Sequence, residues 1–278
     1  MSPPDINARA RSLSPEDKAQ RAGSFGLAAA DYERFRPGPP AEAVEWFLPE
    51  RVATVVDVGA GTGALTRRLI DRADEVIAVE PDARMRAVLE AEVPGARAVE
   101  GRGESMPLAD ASVDAVLASS SWHWVDATAG LQEVARVLQP GGLLGAMWTG
   151  PDPESEFMVS AWELLGQAGG PGEMAGAASE TLRSITAGAD SVPNTLVIPN
   201  GLPFEAPQQR AFRWSLALNA DELVGLLGTL SWVIVMEAEA REALFTTARR
   251  LLGDALGVSG DVTVDLVFKC DAYRARLA

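Results

Sequence analysis

The sequence predicts an α/β protein built on a doubly wound, mostly parallel sheet. Three observations carry that expectation. Thr54 to Val58 is an apolar, β-branched run with no polar face, as in a central parallel strand covered on both sides. The run breaks into Gly59-Ala60-Gly61-Thr62-Gly63, followed by a helical pattern from Ala64 to Asp71. Glu75 to Val79 then reads as a second strand, closed by Glu80 and by Pro81, which turns the chain just past the carboxylate.

The glycine turn is the most informative element. Alternating glycines permit a tight bend and close approach of a ligand to the backbone, and the first N–H groups of the following helix point at that ligand. Asp57 is discordant with a plain turn: it places a carboxylate at the strand's carboxyl end, two residues before the first glycine. It serves either as a strand-end cap for nearby backbone N–H groups or as an acceptor for a cationic ligand. Gly59-x-Gly61-x-x-Ala64 also satisfies the dinucleotide fingerprint. A pyrophosphate wants donors and no nearby carboxylate, whereas an amino acid bearing both ammonium and carboxylate wants donors and an acid together. Asp57 therefore favours S-adenosylmethionine over NAD.

Glu80 stands beside this loop, where a carboxylate can accept from two neighbouring ribose hydroxyls at once. Its alternative is a solvated strand-end acid.

With these residues in view, the chain resembles a class I S-adenosylmethionine-dependent methyltransferase of the methyltransferase type 11 small-molecule group, with a UbiE-like core. Asp57 to Gly63 looks like the first motif of that family, and Val79 to Met85 like its second. Gly101 to Leu108 is similar to its adenine-side loop, and Val113 to Ala118 to its fourth strand. Glu133 to Gly142 matches the helix and turn that precede the fifth strand. The resemblance implies a Rossmann-like sheet of seven strands, with a cap inserted between strands 5 and 6.

It also implies a set of cofactor contacts. Asp57, Gly59, Ala60, Gly61 and Gly63 come from the loop, and Glu80, Pro81 and Met85 from the second motif. Gly103 and Glu104 belong to the adenine side, and Ser119 and Trp124 lie past the fourth strand. Upstream, Tyr32 and Arg36 match the aromatic and the Arg that precede a Pro-rich bend over the cofactor. Two departures stand out. The second Tyr common in that bend is absent from Arg36-Pro37-Gly38-Pro39-Pro40, and Arg102 replaces an Asp that many relatives use for the adenine amino group. Adenine recognition is then expected from backbone around Gly103 and Glu104, or from Glu104 itself.

Trp122-His123-Trp124-Val125-Asp126 is the other candidate, placed where open α/β sheets bind ligands. Related enzymes often carry a His-Trp pair here, usually after a Gln that is Ser120 in this chain. His123, the single histidine, is a candidate general base with an unperturbed pKa near about 6.5. Its alternatives are a helix-start anchor and a core hydrogen bond. The tryptophans read as pocket wall, whose faces favour a sulfonium charge by roughly 0.5 to 2 kcal/mol.

Composition narrows the function classes. With 278 residues the chain can bury a substantial core. A net charge of −15 argues against nucleic-acid backbones and anionic lipid surfaces as partners. The single Cys270 excludes an internal disulfide and a thiolate metal cluster, and no metal is expected. Residues 1–23 read as a polar, loose tail, and no apolar run reaches membrane-spanning length, so a cytoplasmic enzyme is expected.

Residues 24–150 are expected to form the cofactor-binding core, 151–207 a cap or lid, and 208–278 the completion of the sheet. Glu156 to Gln167 has helical apolar spacing, and Ala168 to Pro207 is rich in Gly, Ala, Ser and Pro, as in a lid or a surface insertion. Ala211 to Leu218 alternates like a strand, Ala238 to Leu256 reads as a helix, and Val262 to Phe268 as a final strand. The expected reaction is methyl transfer from S-adenosylmethionine to a small-molecule nucleophile. The alternatives are a cofactor-retaining binding protein of the same fold and, further off, a nicotinamide-dependent oxidoreductase. The acceptor and the oligomeric state are not legible.

Overall fold

The structure is a computed structural model; it describes residues 24–160 and 194–278. The expected tail at 1–23 and most of the expected lid, 161–193, lie outside the described residues. Seven strands form one sheet: β1 (Val52–Val58), β2 (Ala73–Val79), β3 (Arg97–Val99), β4 (Val113–Ser119), β5 (Leu138–Pro151), β6 (Gln208–Leu218) and β7 (Val264–Arg276). Their spatial order is β3-β2-β1-β4-β5-β7-β6. The first five run parallel, and β7 is antiparallel to both β5 and β6. The chain reverses direction across the sheet between β1 and β4, which opens a crevice at their carboxyl ends.

Alternation along the central strands explains the two layers. Val56 and Val58 of β1, Val116 of β4 and Leu144 of β5 face one side, where Leu131, Val134 and Val137 of helix α5 (Ala127–Val137) cover them. Val55, Leu117 and Met147 face the other, against Val44 and Phe47 of α2 (Ala41–Phe47) and Leu69 of α3 (Thr66–Leu69). Both faces are buried, so β1 has no polar side and reads as a continuous apolar run. Asp57 shares parity with Val55 and so points to the α3 face.

The remaining helices are α1 (Ala29–Phe35) ahead of the sheet, α4 (Ala83–Glu92) after β2, and α6 (Ala220–Gly228), α7 (Ser231–Ile234) and α8 (Ala238–Leu256) between β6 and β7. Asp82 caps α4 by accepting from the N–H groups of Arg84 and Met85, and Asn219 with Glu222 forms a reciprocal capping box at α6.

Several expected boundaries shift. The helix expected from Ala64 to Asp71 is a single α turn, Thr66–Leu69, running into a 3-10 turn, Ile70–Arg72. Gly63 at φ 97 and the tight Arg68 N–H to Leu65 carbonyl bond shorten the connection, and β2 begins at Ala73. The last strand runs to Arg276 rather than Phe268, because β5 and β6 pair with it on both edges and bury Cys270 and Ala272 between its charged residues. At the cap, residues 156–160 are helical. Residues 194–207 lie against the sheet: Leu196 is buried in the β1/β4/β5 core, and Phe204 bridges to Leu277. Among the described residues, no helix is long and apolar enough to cross a membrane.

Candidate active site

A cavity of about 710 Å³ opens at the carboxyl ends of β1, β2 and β4. That volume falls in the range of about 300 to 1,000 Å³ usual for small-molecule sites. Its wall is assembled from separate stretches of the chain: Phe25 and the segment around Tyr32 to Pro39, the glycine turn, the turn after β2, the loop after β3, the loop after β4, and Thr149 of β5.

The glycine turn is held by its neighbour strand. The Val79 carbonyl accepts from the N–H groups of Gly59 at 2.8 Å and Ala60 at 3.2 Å. Gly59 and Gly61 sit at φ 64 and 59, in the left-handed region where a side chain is strained. Gly59 has a second constraint. A Cβ there would lie 2.6 Å from the Cβ of Ser121, whose hydroxyl donates to the Val58 carbonyl at 2.5 Å. The β4 loop thus packs directly on the turn.

Asp57 is 1 % exposed. Thr66 Oγ1 donates to its Oδ2 at 2.6 Å, while Oδ1 has no hydrogen-bond partner although it is buried. Burial pushes this carboxyl up to about 7; the Thr66 hydroxyl opposes the shift and the charge of Glu80 adds to it. The Thr62 hydroxyl, on the same wall, is also buried and unpartnered. Buried polar groups without a partner are costly, and both of these belong to residues on the cavity wall.

Glu80 braces the turn from β2. Its Oε2 accepts from the Gly61 N–H at 2.8 Å and its Oε1 from the Asp82 N–H at 2.9 Å. Burial raises its pKa, and those two N–H bonds oppose the rise. Each oxygen keeps acceptor capacity toward the cavity, since a carboxylate offers about four lone-pair sites.

The N-terminal segment covers the opposite wall. The Arg36 guanidinium stands 5.6 Å from the Tyr32 ring centroid, and Phe25 meets Tyr32 edge-on at 5.7 Å and Trp124 at 5.8 Å. In the loop after β3, Glu104 Oε1 accepts from the Asp126 N–H at 2.7 Å, which ties this loop to the start of α5. A second tie runs through Glu133, which accepts from the Met106 N–H at 2.6 Å and pairs with Arg136 at 2.7 Å.

The cavity therefore brings together Tyr32, Arg36, Asp57, Gly59, Ala60, Gly61, Glu80, Pro81, Met85, Gly103, Glu104, Ser119 and Trp124. Two expected site residues stand apart. Gly63 is behind the turn, where a Cβ would lie 2.9 Å from Val93 Cγ2 and 3.2 Å from Leu89 Cγ, so its role is packing against α4. His123 is absent from the lining, and its Nδ1 accepts from the Trp148 indole N–H at 3.0 Å. That bond occupies the lone pair a general base would use. Residues that sequence reasoning passed over include Phe25, Thr62, Ser121 and Thr149, all on the wall. Thr62 carries a signal in hindsight, as a hydroxyl between two glycines, and Phe25 opens the segment that resembles the family's entry segment; Thr149 carries none, because only the folded chain brings it there.

Comparison with known proteins agrees with this architecture. Residues 56–146 match the methyltransferase domain family. An uncharacterized methyltransferase of Mycobacterium tuberculosis is 37% identical over 257 residues, covering 92% of this chain and 96% of the relative. A malonyl-[acyl-carrier protein] O-methyltransferase of Enterobacter lignolyticus is 32% identical over 157 residues, which is 55% of this chain and 62% of that one. Among solved structures, one from Anaeromyxobacter dehalogenans assigned to the type II methyltransferases superposes with a TM-score of 0.53 at 25% identity, covering 87% of this chain and 98% of that chain. The chain belongs to the class I S-adenosylmethionine-dependent methyltransferases. It is a methyltransferase whose cofactor is S-adenosylmethionine.

Proposed function

We propose that the protein transfers a methyl group to a small-molecule nucleophile by in-line displacement, without a dedicated general base. The observation that carries this reading is the Asp57 carboxylate, buried on the cavity wall with one oxygen paired to Thr66 and the other unpartnered. S-adenosylmethionine, when bound, supplies a methyl group on a cationic sulfur together with a neutral thioether leaving group.

Asp57 and Thr62 hold the amino-acid end, with Asp57 accepting from its ammonium group. Glu80 accepts from the ribose hydroxyls while keeping its bonds to Gly61 and Asp82. Gly103 and the backbone beside Glu104 border the adenine. Arg36, packed on Tyr32, faces the cavity as a guanidinium able to meet a carboxylate. Trp124 and Phe25 exclude water from the side where the acceptor approaches. In this reading 24–150 is the cofactor-binding core, 151–207 a cap, and 208–278 the part that completes the sheet.

Alignment and water exclusion can remove several kcal/mol of barrier, on the order of 7 in favourable cases, so the reaction does not depend on a base. The acceptor's proton passes to solvent. The test is release of S-adenosylhomocysteine in a screen of purified low-mass nucleophiles. Turnover with any of them supports the reading, and turnover with protein or nucleic acid alone overturns it.

A further inference from the structure

We propose that His123 is a positioning residue that sets the aromatic wall of the cavity through Trp148. The inference rests on the reading of this cavity as the cofactor site and gives His123 a different task from proton transfer.

Trp148 is in β5, 5 % exposed, and braced edge-on by the Tyr273 ring of β7 at 5.9 Å. Its indole N–H donates to His123 Nδ1 at 3.0 Å. A neutral imidazole that accepts at Nδ1 carries its proton on Nε2, so the hydrogen bond selects both the tautomer and the ring orientation. The oriented ring then packs on Trp124 with centroids 4.7 Å apart. Trp124 lines the cavity and meets Phe25, which in turn meets Tyr32. A continuous set of contacts thus leads from the β5/β7 pair to the wall formed by the N-terminal segment. Trp148 can donate only through that one indole N–H, and its burial gives it no water to use instead. Removing the His123 acceptor therefore leaves a buried indole N–H unsatisfied and takes a packing partner from Trp124.

The test measures affinity for S-adenosylhomocysteine by calorimetry, with thermal midpoints as a folding control. His123→Leu and Trp148→Phe are each expected to weaken binding about 5- to 20-fold, the scale of one lost hydrogen bond with loosened packing. The double variant should be no weaker than either single, because both remove the same bond. His123→Asn should restore most of the loss seen in His123→Leu, since its amide oxygen stands as far from Cβ as Nδ1 does and accepts the indole N–H. With an acceptor in hand, turnover of His123→Asn should stay within about 5-fold of wild type, whereas loss of a true base costs on the order of 100-fold or more. Asn binding as weakly as Leu, additive losses in the double variant, or wild-type affinity in every variant would each overturn the proposal. Wild-type protein that binds no S-adenosylhomocysteine would overturn the reading of the cavity itself.

Discussion

Thr66 donates a 2.6 Å hydrogen bond to Oδ2 of Asp57, on the cavity wall, and leaves Oδ1 buried without a partner. One β-branched residue at the start of α3 thus holds the carboxylate in place while half of its acceptor capacity stays available. The bond is also the main influence opposing burial, which drives the Asp57 pKa up to about 7.

That shift sets a pH dependence. In the unfolded chain Asp57 ionises near its ordinary value of 3.8, while the folded protein retains the proton up to about 7. The folded state therefore binds the extra proton between these values, so stability falls as pH rises through the window and levels off above it. Asp57→Asn removes the charge and should flatten this slope in denaturant titrations of the ligand-free protein. It should also weaken S-adenosylmethionine binding about 10-fold or more, the scale of a hydrogen bond to a charged partner. A variant that keeps both the slope and the affinity would remove Asp57 from the site.

Binding should also release a proton below that pKa. An ammonium beside Asp57 favours the ionised form, so a titration at about pH 6 should expel protons, measurable as a buffer-dependent binding enthalpy. At about pH 8.5 the carboxyl is already ionised and the buffer dependence should vanish. Equal proton release at both pH values would assign the ionisation elsewhere.

Glu80 braces the turn in the structure and, in the proposed reading, also holds the ribose, and its variants should separate the two. Glu80→Ala should lower cofactor affinity by roughly 1.5 to 3 kcal/mol, the scale of bonds to a charged acceptor. It also strips acceptors from the Gly61 and Asp82 N–H groups, so stability should fall by about 1 kcal/mol. Calorimetry and urea titration report the two effects independently. A loss of stability with unchanged affinity would leave Glu80 as a brace for the turn alone.

The glycines of the turn should differ in tolerance. Gly59→Ala meets positive φ and a 2.6 Å approach to Ser121 Cβ, whereas Gly61→Ala meets only positive φ with Met85 Cε at 3.6 Å. Left-handed strain alone costs about 1 to 2 kcal/mol, so Gly59→Ala should be the more destabilising of the two. Adding Ser121→Gly to Gly59→Ala should recover part of the difference. Urea midpoints that rank the two in the reverse order would place the steric constraint elsewhere.

The parts of the fold carried by local pattern were legible in the sequence. The β1 run, the glycine turn and the Glu80-Pro81 stop are contiguous, so residue order alone placed Asp57 and Glu80 beside the same loop. What could not be read depends on contacts distant in the chain. Ser121 packs on Gly59, Trp148 meets His123, and Phe25 joins Tyr32 to Trp124 only after the sheet has assembled. His123 could be read as a base, a helix-start anchor or a core hydrogen-bonding residue, and nothing local reveals the indole donor supplied by β5. The length of β7 was hidden for a related reason: Lys269, Asp271 and Arg274 interrupt its apolar pattern, and pairing on both edges outweighs that interruption.

The central claim is transfer of a methyl group to a small molecule from a cofactor held by Asp57 and Glu80. It is tested most directly by incubating the protein with methyl-labelled S-adenosylmethionine and a fractionated cell extract, then following the label. Label should move into the low-mass fraction with an equal amount of S-adenosylhomocysteine formed, and Asp57→Asn should slow that transfer by about 10-fold or more at subsaturating cofactor. Label that enters only protein or nucleic acid, or that moves at the wild-type rate in Asp57→Asn, would contradict the account.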